Sequence, residues 1–76
     1  MDRITAPLVL DLVASVAARP RPYAEVMAAW RTSCPRLTVW EDAVDAGFVA
    51  CRTEGGVLVV AATEAGRAAL AAAGRA

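Results

Sequence analysis

Phe48-Val49-Ala50-Cys51-Arg52-Thr53-Glu54-Gly55-Gly56-Val57-Leu58-Val59-Val60-Ala61-Ala62 is the stretch whose reading decides the fold. In its first half the side chains alternate with a period of two, Val49, Cys51 and Thr53 on one side and Ala50 and Arg52 on the other. Glu54-Gly55-Gly56 then supplies turn residues, and Val57 to Ala62 is a second run rich in β-branched valine. The stretch reads as a β-hairpin. On both sides of it the apolar period reverts to that of a helix.

Beyond the hairpin, Thr63 can cap a last helix over residues 64–73, with Glu64 at the positive end of its dipole and Gly74 as its stop. Before the hairpin, Leu37, Trp40 and Val44 predict the apolar face of a third helix that Gly47 closes. That helix starts at Pro35, or at Thr38, where Thr38-Val39-Trp40-Glu41 has the form of a capping box. Tyr23, Val26, Met27 and Trp30 give a second helical stripe that opens on Pro22 and ends near Thr32. Val9, Leu12, Val13 and Val16 give the first, with Thr5 as N-cap and Pro7 tolerated in the first turn. Asp11 falls opposite that stripe and should face water. Arg19-Pro20-Arg21-Pro22 stops the first helix, because each proline removes a donor and restricts the residue before it.

The expected architecture is mainly α with a small β-hairpin, in one domain over residues 1–76. A chain of 7.9 kDa folds to roughly 4,400 Å² of surface from about 11,500 Å², so its core is thin. At 58% hydrophobic and 21% charged residues it is nonetheless far from the composition of a disordered segment. No apolar run is long enough for a membrane span, and the apolar start is broken by Asp11, so a cytoplasmic protein with no membrane association is expected. Cys34 and Cys51 form no CxxC pair, and with no histidine in the chain they cannot complete a zinc site. Both are expected as reduced core residues. The lack of histidine also leaves no base for a cysteine or serine nucleophile, and no Gly-rich phosphate loop is present, so no catalytic, cofactor or metal site is expected.

Two segments carry a resemblance. Glu41-Asp42-Ala43-Val44-Asp45-Ala46-Gly47-Phe48-Val49 resembles the end of the recognition helix in MarR-like and PadR-like regulators, where the chain leads into the wing. Thr63-Glu64-Ala65-Gly66-Arg67-Ala68-Ala69-Leu70 is similar to their T-x-x-G-R-x-x-L after the second wing strand. Over roughly residues 22 to 73 the chain thus resembles the winged helix-turn-helix superfamily. The resemblance implies three helices, a β-hairpin wing and a C-terminal helix, and a DNA-binding or transcription-regulating role with double-stranded DNA as partner.

The charges divide the candidate residues into two sets. If the third helix reads DNA, its groove-facing side is Thr38, Val39, Asp42 and Asp45, with Glu41 beside it, opposite Leu37, Trp40 and Val44. Duplex DNA is held chiefly by arginine and lysine displacing counterions. Arg31 and Arg36 around the turn and Arg52 on the wing, with Thr38, are the DNA-binding candidates. Glu41, Asp42 and Asp45 oppose that role and instead suit a protein partner or a second copy of the chain, which makes a winged-helix interaction module the alternative function. Eight acidic residues balance eight arginines, for zero net charge, so DNA binding would be weak. For the remaining residues a structural role is expected. Arg52 should pair across the hairpin and Arg67 should fix the last helix. Tyr23, Trp30, Trp40 and Phe48 should lie in the core.

Overall fold

The computed structural model describes residues 6–31 and 39–75, with the Arg31 side chain left out. Four helices and a three-stranded antiparallel sheet follow in the order α1 (Ala6–Ala18), β1 (Arg21–Pro22), α2 (Tyr23–Arg31), α3 (Val39–Asp45), β2 (Val49–Glu54), β3 (Val57–Ala62) and α4 (Glu64–Ala72). The protein is thus mixed α and β, and mainly helical. The cap expected at Thr5 and the start of the third helix expected at Pro35 or at Thr38 fall outside the described residues.

Helix α1 is the centre of the molecule. Val9, Leu12, Val13 and Val16 are all fully buried, and the helix packs against α3, α4 and β3. Three of these four residues are valines, which lose side-chain freedom in a helix, so burial and not intrinsic propensity holds α1 in place. Asp11 stays on the exposed face as expected and meets Arg75 from beyond α4. The last turn of α1 holds no basic residue. Its orphan carbonyls are met by arginines from elsewhere: Arg21 Nε donates to Ser15 O at 3.0 Å and Arg67 Nη1 to Ala17 O at 3.3 Å.

The hairpin forms over the expected residues. Glu54 pairs with Val57 across Gly55 and Gly56, whose φ values of 57° and 80° belong to a two-residue turn that matches the twist of the strands. It is not alone, however. Arg21 and Pro22, expected as a helix stop and the first turn of α2, form a short strand whose partners on β3 are Val60 and Val59. The sheet order is β1-β3-β2, and proline is tolerated because β1 is an edge strand that needs no donor on its open side.

Helix α3 is turned from the expected orientation. Val39 and Ala43, one turn apart, face the core, Trp40 is half-buried and Val44 is 45% exposed. The expected stripe of Leu37, Trp40 and Val44 underrated Ala43, which is small enough to let the backbone of α3 approach α1. Leu37 itself lies outside the described residues. The helix ends as expected at Gly47, whose φ of 75° lets Gly47 N donate to Val44 O and Phe48 N to Ala43 O. The aromatic residues Tyr23, Trp30, Trp40 and Phe48 are half-buried at the rim of the aliphatic core, and Tyr23 and Trp40 meet edge to face at 5.7 Å between ring centres.

Candidate nucleic-acid interface and the wing

Thr63 ties the hairpin to the body through its side chain and both backbone groups. Its hydroxyl accepts from Gly66 N at 3.0 Å, as an N-cap, and donates to Gly47 O at the end of α3. Its N–H donates to Phe48 O at 2.9 Å, and its carbonyl accepts from Arg67 N. One residue therefore joins the end of α3, the start of β2 and the start of α4. Gly66 lies directly against this junction: a Cβ built there would stand 2.2 Å from Phe48 O. The T-x-x-G-R spacing has a physical content here, with Thr63 capping, Gly66 giving room and Arg67 reaching the end of α1.

This junction fixes the end of α3 against the hairpin of β2 and β3. Glu41 and Asp45 are exposed on α3, one turn apart, and Asp42 is half-buried. Glu41 and Asp42 stand in the first turn, where a carboxylate favours the helix dipole. Val39, expected on the groove-facing side, is buried and cannot touch a partner. Val44 takes its place, exposed beside Asp45.

On β2, Arg52 is exposed, and its Nε donates to Glu54 Oε2 on the same strand rather than across the hairpin. The hairpin thus presents a neutralised pair. It also presents Val57 at 49% exposure and Leu58 at 45%. Arg31 ends α2, and its side chain, Arg36 and Thr38 lie outside the described residues. Glu41, Asp45 and Arg52 are thus each exposed, and α3 itself carries no cation.

Cys51 is the clear departure among the smaller residues. Expected in the core, it is a free, exposed thiol on β2; Cys34 lies outside the described residues. Between α1 and α4, an open cleft of about 490 Å³ is lined by Ala14, Ala17, Ala18 and Leu70, with Arg67 and Arg75 at its edge. Both arginines already hold partners, Ala17 O and Asp11. Among the described residues no three of His, Cys, Asp and Glu gather as a metal site, and no helix is long and apolar enough to cross a membrane.

Neither the models of protein families, nor the curated proteins, nor the solved structures include one that matches this chain.

Proposed function

We propose that the protein is a winged-helix module of the DNA-binding, transcription-regulating kind. The observation that carries this reading is the order of the elements: three helices, a two-stranded wing and a closing helix. The residues of both resembling segments support it by their work in the fold, since Gly47 ends α3 and Thr63, Gly66 and Arg67 fasten the wing. On this reading Arg31 and Arg36 around the turn, Thr38, and Arg52 on the wing face the phosphates.

With so few cations, affinity is weak and log K falls by at most about three units per unit of log salt. Fluorescence anisotropy of a labelled mixed-sequence duplex in a low-salt titration tests it. Arg36→Ala and Arg52→Ala should each lower the slope by about one. Replacing Glu41 and Asp45 together by glutamine and asparagine should tighten binding on every sequence, because repulsion is removed. A chain that binds no duplex at low salt would refute the DNA reading.

A second reading has its own observation. Val44 is exposed on α3 next to Glu41 and Asp45, and Arg52 is already engaged by Glu54. An apolar residue flanked by carboxylates suits a protein surface that is itself apolar with basic residues at its side, and it repels a polyanion. Under this reading the Glu41 and Asp45 replacements weaken partner binding, and Val44→Ala weakens it further.

A further inference from the structure

Strand β2 lies at one edge of the sheet. The sheet order places β3 on one side of it, and among the described residues no strand pairs with the other. Which backbone groups this leaves open follows from the register. Glu54 and Val57 flank a two-residue turn and so form a hydrogen-bonded pair, as do Arg52 with Val59 and Ala50 with Ala61 by alternation. The N–H and C=O groups of Val49, Cys51 and Thr53 therefore point away from β3, at the open edge. Exposure agrees: every residue of β2 after Val49 is exposed, whereas Val59, Val60 and Ala61 of β3 are buried.

We propose that a second copy of this chain pairs with β2 edge to edge, antiparallel about a two-fold axis through Cys51, to make one sheet of two wings. This surface is independent of the DNA reading. Two-fold pairing of a strand with itself sets each residue against one of the same parity, so four registers overlap by three residues or more, and the one centred on Ala50 overlaps only Val49 to Cys51. Centred on Arg52, the pairing sets two guanidinium groups directly opposite each other, which is unfavourable. Centred on Thr53, it overlaps only Arg52 to Glu54 before the turns intervene.

Centred on Cys51, it overlaps Val49 to Thr53 and matches every outward group with one on the copy. Cys51 exchanges two hydrogen bonds with Cys51 of the partner subunit, and the two pairings of Val49 with Thr53 add four more. The side chains agree with this register. Arg52 lies opposite the small neutral Ala50 of the other copy, and Glu54 lies outside the overlap. On the other face, Cys51 of each copy lies against Cys51 of the other across the axis, and both are exposed in the single chain. The self-matching of the strand in hydrogen bonds and charge selects a second copy over a foreign strand. An overlap of five residues is short, so the dimer is weak.

Ala50 gives a test with a sign. It is exposed in the single chain, so changing it leaves the fold intact, which circular dichroism checks. Sedimentation velocity is run with reductant from about 1 μM to about 1 mM, the span over which weak dimers dissociate. Wild type should shift from monomer to dimer within it. Ala50→Glu sets a carboxylate opposite the partner's Arg52 twice and should lower the midpoint about 3- to 10-fold, while Ala50→Arg should raise it by at least as much. Thr53→Pro removes an outward N–H without touching a bond to β3, and should leave a folded monomer. Wild type that stays monomeric throughout would overturn the proposal, as would Ala50 variants without effect. So would the opposite signs, because Ala50 lies against Glu54 in the Arg52-centred register.

Discussion

Strands β2 and β3 are the two halves of one hairpin, equal in length, and their surroundings differ almost completely. Cys51 and Val60 are cross-strand partners, so their side chains share a face of the sheet. Val60 is fully buried and Cys51 is exposed. The difference lies in what lies over that face. Helices α1, α2 and α4 all pack against β3, and β1 covers its other edge, while β2 meets α3 near the turn that joins them. Alternation along a strand fixes the side of the sheet; whether that side is core depends on how far the helices reach across it.

The largest effect should come from the junction that fastens β2 to this body. Gly66→Ala places a Cβ within 2.2 Å of the backbone oxygen of Phe48, and neither α4 nor the start of β2 can yield without breaking the bonds of Thr63. A loss of about 3 kcal/mol or more is expected, against a total of about 4 to 11 kcal/mol for a domain of this size. Thermal or urea unfolding measures it. A stable Gly66→Ala variant would mean that β2 is held more loosely than the hydrogen bonds at Thr63 describe.

Val60→Ala comes next and tests the comparison most directly. It empties a fully buried site between α1 and the sheet, and should cost about 2 to 3 kcal/mol. A cost within about 0.5 kcal/mol, the range of surface changes, would remove the distinction between the strands.

How much of this was legible in the sequence follows the same division. The stripe of α1 is read without error because all four residues meet the core, and the hairpin turn and the Thr63 cap are written in local chemistry that needs no tertiary knowledge. The rotation of α3 was not legible. Its seven residues hold apolar side chains on two sides, and only contact with α1 selects Val39 and Ala43 over Val44. Strand β1 was hidden for the same reason, since Arg21-Pro22 has no strand pattern and is drawn into the sheet by β3. Of the candidate interface, Glu41, Asp45 and Arg52 were readable as exposed charges. The Arg52–Glu54 pairing along the strand, the burial of Val39 and the exposure of Val44 and Cys51 depend on packing that periodicity does not carry.

Thr63→Ala should have a smaller effect than either substitution above. It removes the cap of α4 and the bond to Gly47 O, at a cost of about 1 to 2 kcal/mol. Thr63→Ser, which keeps the hydroxyl, should recover most of it. If serine fails to do so, the methyl group and not the hydrogen bonds holds the junction.

Cys51→Ala should have the smallest effect, within about 0.5 kcal/mol, because the side chain is exposed. Its thiol offers a second readout of the same difference. In native protein at about 1 μM, dilute enough to keep a weak dimer apart, an alkylating reagent should modify Cys51 nearly as fast as it does in urea, with the site read by peptide mass spectrometry. Val60→Cys, introduced at the opposite position of the same pair, should be protected until the protein unfolds. Equal rates at the two positions would show that the body of the protein does not cover β3 more than β2. A protected Cys51 at this dilution would show instead that the core reaches across the whole hairpin, as the alternation of Val49, Cys51 and Thr53 alone predicts.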